Sequence, residues 1–166
     1  MDPDIVNNAS WSSQIIDALL DIPSISLATD LPNLFGSSTG IYVNAQNDGR
    51  AWERRTSVEL LRPDGGIGFA VDGGLRIRGA FSRSDTNPKH SFRVFFRTEY
   101  GAGKLEYPLF EGEGVDSFDK IDLRTSQNYS WAYEGSEQNT FLRDVFSRDV
   151  QRDMNRPYTR SRYYHL

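Results

Sequence analysis

An α+β fold, mainly an antiparallel sheet with a short N-terminal helix and one long C-terminal helix, is what this sequence predicts. Three observations carry the prediction. Apolar residues recur at helical spacing only near the two ends of the chain, the stretch between them holds short runs with strand-like patterning, and turn material rich in Gly, Asp and Pro separates those runs. A chain of 166 residues, 37% apolar and 13% aromatic, is large enough to bury roughly 70% of its unfolded surface and needs no staples. No repeat or Pro/Ser linker divides it, so one unit is the default.

The elements follow in order. Trp11, Ile15, Ile16, Leu19 and Leu20 lie on one helical face, and Asp21-Ile22-Pro23 ends the pattern, so residues 1–22 read as a helical lead-in. Strands are predicted at Ser24–Ala28, Ile41–Asn44, Thr56–Leu61, Ile67–Val71, Leu75–Gly79, Ser91–Arg97 and Lys120–Arg124. Turns are predicted between them at Phe35–Ser38, Asn47–Gly49, Pro63–Gly66 and Asp72–Gly74. Phe141, Leu142, Val145, Phe146, Val150 and Met154 form an apolar stripe on a helix that packs on the sheet. Asn139 or Thr140 can cap its start, and Asn155-Arg156-Pro157 ends it. Arg162–Leu166 reads as the opening of a further strand, which suggests that the polypeptide is part of a longer domain.

Composition excludes several kinds of chemistry. Without cysteine there are no disulfides, thiolate metal sites or thiol nucleophiles. No apolar run approaches membrane-spanning length, and Met1-Asp2-Pro3-Asp4 lacks the basic start of a signal peptide, so no membrane partner is expected. The compartment stays open. The net charge of −4 disfavours wide nucleic-acid binding, but the charge is unevenly spread. Residues 1–49 carry six Asp and no Lys or Arg, whereas segment 76–97 holds Arg76, Arg78, Arg83, Lys89, Arg93 and Arg97 against Asp85 alone.

That basic segment is where chemistry can sit. Strand alternation puts Leu75 and Ile77 on one face and Arg76 and Arg78 on the other; in the returning strand Phe92, Val94 and Phe96 oppose Arg93, Phe95 and Arg97. Paired through the loop 80–90, the two strands stack arginines on one side of a hairpin. Gly79 allows a backbone bend, Ser82 offers a hydroxyl, and Lys89 sits at the base of the returning strand. Exposed N–H groups and cations at such a tip can hold a polyphosphate. The same residues equally describe a solvated, salt-bridged sheet face with an ordinary loop.

Several words of the sequence, in their order and spacing, carry a family resemblance. They are Pro23–Asp30 with Asn33–Phe35, Gly40–Asn44, Gly49–Arg54 and Val58–Leu61, then the Arg-x-Arg-Gly loop at Arg76–Gly79 with Ser82 and Arg83. Pro88–Arg93, Phe96–Gly101, Tyr107–Phe110, Phe118–Arg124, Leu142–Asp144 and Gln151–Met154 complete the set. Over residues 23–166 the chain resembles the CotH kinase family, named for spore coat protein H, whose members have an atypical protein-kinase-like fold. The resemblance implies the small lobe of such a kinase and, in the intact family, transfer of phosphate from ATP to protein Ser or Thr with magnesium. It makes the Arg76–Arg83 loop the phosphate-covering hairpin, with Arg76, Arg78, Gly79, Ser82 and Arg83 as nucleotide contacts and Lys89 as the phosphate-binding lysine. The helix 141–154 falls where a kinase carries its regulatory helix.

This sequence departs from the family in two details, with His90 where many members have a second lysine and Ala80-Phe81 in place of Asn-Ser. The acids that hold magnesium in the family lie beyond the strand starting near Arg162. The resemblance therefore implies an amino-terminal portion that is inactive alone, retains no bound cofactor, contacts phosphates at most weakly, and can self-associate through the surface left exposed. Relatives are often extracytoplasmic. The rival reading is a non-catalytic β-rich module of a secreted or cell-surface protein, using Trp52, Tyr100 and Trp131 for glycan or protein contacts.

Other groups are read more simply. Glu111, Glu113, Asp116, Asp119 and Asp122 match no calcium-loop spacing, and alternation explains Asp119 and Asp122 as strand residues. His90 and His165 lack the serine context of a hydrolytic triad and suit hydrogen bonds at strand ends. Asp144 can pair with Lys89, as a kinase helix acid would, or with Arg148 one turn along its own helix, and Arg148 is favoured because that pair needs no tertiary assumption.

Overall fold

Alternation along Arg54–Leu61 decides which side of the sheet is wet. In a computed structural model that describes residues 3–87, 89–126 and 140–166, Thr56, Val58 and Leu60 are buried on one face while Arg55, Ser57, Glu59 and Leu61 point outward. The elements are α1 (Pro3–Val6), α2 (Ile15–Asp21), β1 (Ser24–Ala28), α3 (Leu31–Phe35), β2 (Arg54–Leu61), β3 (Ala70–Arg78), β4 (Ser91–Phe95), β5 (Leu105–Glu106), β6 (Ser117–Phe118), β7 (Lys120–Leu123) and α4 (Arg143–Asp153). The fold is α+β. Five strands form an antiparallel sheet in the order β1-β2-β3-β4-β7, and β5 and β6 pair as a separate ribbon.

Register carries the two faces from strand to strand. Leu27 lies opposite Val58 and Val58 opposite Val71, while Leu75 faces Val94 and Val94 faces Ile121. The apolar face is covered by chain segments without long helices, which contribute Leu34, Ile41, Tyr42 and Ala45 and, further along the chain, Leu105, Tyr107, Leu109 and Phe118. Val58 and Val94 have no exposed surface and Leu75 keeps 1%. Burial of such side chains stabilises by about 1.5–3 kcal/mol each.

Four expectations change. Ile41–Asn44 is a turn rather than a strand, yet Ile41 is buried and Tyr42 packs against the core while Val43 is exposed, so two of its residues plug the core without joining the sheet. Asp72–Gly74 is not a turn but the middle of β3, which joins two predicted strands into one. These glycines serve close approach: a Cβ on Gly73 would lie 2.8 Å from Val94 Cγ1, and one on Gly74 would lie 2.3 Å from Glu53 Oε1. The C-terminal helix forms, but it has no buried residue, and Phe146 and Met154 on its stripe are 68% and 61% exposed. Its N-cap is Leu142, without a side-chain cap, instead of Thr140; Asn139 lies outside the described residues. Asn155, at φ 54°, ends the helix in the left-handed conformation that asparagine tolerates.

The last described residues return to the first strand. His165 bridges Ser24 in parallel, with the Ile25 N–H donating to His165 O at 2.8 Å and the His165 N–H to Pro23 O at 2.9 Å. Among the described residues, no helix is long and apolar enough to cross a membrane.

Candidate functional site

The β3–β4 hairpin forms as alternation predicts, with Arg76 opposite Arg93 and Arg78 opposite Ser91 on the outward face. At its tip the chain turns through a short 3-10 helix, Phe81–Arg83, which leaves a cleft of about 160 Å³ lined by Arg78, Gly79, Ala80, Phe81, Ser82, Ser91 and Arg124. That is below the roughly 300–1,000 Å³ of small-molecule pockets, a space for a phosphoryl group rather than a whole nucleotide. Gly79 makes the turn possible. Its φ is 118°, and a Cβ there would lie 1.8 Å from Ser82 Oγ.

The expected nucleotide contacts separate into two groups. Arg78, Gly79 and Ser82 line the cleft. The Arg78 Nε donates to Asp122 Oδ2 at 2.5 Å, and the Ser82 hydroxyl donates to Arg78 O at 3.2 Å. Arg76, Arg83 and Lys89 are not on it. Arg83 lies behind the loop and is buried, its guanidinium donating to the carbonyls of Gly79 (2.6 Å), Ala45 (2.9 Å), Asn47 (2.8 Å) and Ile77 (2.7 Å). It ties the hairpin tip to the 45–47 segment, so its donors are committed internally. Lys89 is exposed and makes no ion pair among the described residues. Beside the loop, His90 Nδ1 is 2.7 Å from Ser82 O and its ring packs 4.7 Å from that of Tyr42, while a ring nitrogen of His165 meets Ala18 O at 2.9 Å.

Arg76 belongs to a second cluster. Its Nε lies 3.2 Å from Glu53 Oε2, and its guanidinium stacks 4.0 Å from the centre of the Phe95 ring. Glu53 has 1% of its side chain exposed and also receives Arg50, both Nε and Nη2 of Arg97 (3.0 and 3.3 Å) and the Tyr100 hydroxyl (2.9 Å). A carboxylate so buried is tolerable only with such partners. Burial, and then the hydrogen bond to Glu53, raise the Tyr100 hydroxyl above its usual pKa. Arg97 lies over the same Phe95 ring, 4.7 Å from its centre.

Alternation alone did not reveal Glu53 or Arg124. Glu53 precedes β2 and carries no pattern of its own. Arg124 was within reach of the reading: Lys120, Asp122 and Arg124 alternate onto one face, and the pairing of Asp122 with Arg93 carries Arg124 toward Ser91. Asp144 prefers this tertiary partner, lying 2.6 Å from Arg124 Nε against 3.8 Å from Arg148 Nη2. Asp122 accepts from Arg93 Nε (2.5 Å) and Nη2 (2.8 Å) as well as from Arg78. Burial would raise its carboxyl, but those hydrogen bonds prevail and hold it below the usual carboxylate range.

Two further members of the acidic run form ion pairs, Glu111 with Arg162 at 2.8 Å and Asp119 with Lys104 at 3.4 Å. Among the described residues no three His, Asp or Glu converge as a metal site. Comparison with protein-family models, curated proteins and solved structures returned no match for this chain.

Proposed function

We propose that residues 23–166 are the amino-terminal, nucleotide-loop part of a CotH-like protein kinase domain, and that the cleft at the hairpin tip contacts the phosphates of ATP. The observation that supports this most is the meeting of Arg78 and Arg124 with the Ser82 turn around a glycine whose position has no room for a side chain. Guanidinium forks and a cramped backbone suit phosphate oxygens, and the cleft's size suits a phosphoryl group. ATP would bring the transferable phosphate, while this chain's residues would orient its anionic tail. The partner of the intact domain would be a protein carrying Ser or Thr. Magnesium and the transfer step would fall, by the same resemblance, to acids of the intact domain outside this cleft.

The alternative, a non-catalytic binding module, draws less support. Trp52 lies under Arg54 at 5.4 Å and the Tyr100 hydroxyl is committed to Glu53. Trp131 lies outside the described residues.

Calorimetric titration with Mg-ATP tests the proposal. Weak binding is expected, lost on Arg78→Ala, with no ATP-dependent phosphorylation of a Ser-rich peptide. A flat wild-type titration removes the phosphate reading, and turnover abolished by Lys89→Ala removes the inactivity.

A further inference from the structure

Helix α4 meets the cleft through charge. None of its residues is buried, and its Asp144 reaches across to Arg124, one of the two cleft arginines. The other, Arg78, is held by Asp122. The two carboxylates differ in how firmly they are fixed. Asp122 sits on a sheet strand between Arg78 and Arg93, bound by three guanidinium hydrogen bonds. Asp144 rides on a helix without buried anchors and has a second cation, Arg148, one turn along at 3.8 Å. Carboxylate and phosphate oxygens compete for the same face of a guanidinium.

We propose that Asp144 is an intramolecular competitor of the anion: it occupies Arg124 when the cleft is empty, and an incoming polyphosphate displaces it toward Arg148, loosening α4 from the sheet. This rests on the phosphate reading above and adds its regulation, since anything that holds α4 in place weakens binding. Arg124 is 44% and Asp144 27% exposed at the side chain. A pair this open resists displacement by about two- to fivefold in affinity.

Two measurements on the full chain decide it. Sodium tripolyphosphate is titrated calorimetrically into the wild type, Asp144→Asn, Asp149→Asn and Arg78→Ala at fixed ionic strength. Asp149 pairs with Arg152 at 3.1 Å on the same helix, so its variant removes the same charge without touching Arg124. Asp144→Asn is expected to bind about two- to fivefold more tightly than the wild type, and Asp149→Asn to match the wild type. Hydrogen exchange of the amides of residues 143–153 is then followed, and both Arg124→Ala and saturating tripolyphosphate are expected to speed it.

Equal affinity of Asp144→Asn and the wild type, with Arg78→Ala still abolishing binding, leaves the phosphate reading intact and overturns the competition. An equal gain in Asp149→Asn overturns it as well, since that is general charge removal. Unchanged exchange of α4 in Arg124→Ala overturns it whatever the titrations show. Absence of binding in every variant overturns the phosphate reading and the competition together.

Discussion

The Nε of Arg83 donates to the carbonyl of Gly79 at 2.6 Å, closing the hairpin tip from behind. With the other carbonyls that its guanidinium serves, this makes Arg83 a brace for the loop. Arg83→Met would leave buried carbonyls unpaired and is expected to cost about 2–3 kcal/mol or more in urea unfolding. Arg83→Lys recovers only part of the loss, because one ammonium cannot reproduce a planar fork. Wild-type stability in both variants would show that the brace carries no weight.

Glu53 is a single buried carboxylate on which three arginines converge. Removing it strands Arg76, whose side chain is only 18% exposed, and Glu53→Ala is expected to destabilise by about 3–5 kcal/mol. Gly74→Ala should resemble it, since the added methyl would strike the same carboxylate at 2.3 Å. Thermal melts of the two variants check this, and a Gly74→Ala protein as stable as the wild type would contradict the packing described.

Asp122 sets a dependence on acid. Its carboxyl is held below the usual range in the folded protein, so the unfolded chain binds the proton more readily. The stabilisation is complete above the unfolded value, about pH 4, and is lost as pH falls through the lower folded value. The difference in urea midpoint between the wild type and Asp122→Asn is therefore expected to be constant above about pH 5 and to shrink below about pH 4. A gap that widened on acidification would reverse the assignment.

Much of the sheet was legible because period-two alternation is a local property. Leu75 and Ile77 against Arg76 and Arg78 could be sorted without any partner strand. Gly73 and Gly74 misled for a physical reason: a glycine that bends the chain and a glycine that lets a neighbour approach look alike in sequence. The apolar stripe on α4 gave the helix but not its burial, since spacing says which face is apolar and not what covers it.

The candidate site was legible only in part. Arg78, Gly79 and Ser82 lie close in sequence and so meet at one tip. Arg76 and Arg83 are as close in sequence, yet a buried carboxylate draws one away and backbone carbonyls the other, and both are tertiary facts. Arg124 arrives from 46 residues beyond Arg78, across β4.

Seating His165 beside Ser24 joins positions 141 residues apart (165 − 24) through two backbone hydrogen bonds. Closing so long a loop costs about 4 kcal/mol in chain entropy, whereas the β2–β3 and β3–β4 hairpins close cheaply. Loop-closure entropy therefore predicts that the meander assembles before residue 165 seats on the outer margin of β1, and that this margin is among the first to open.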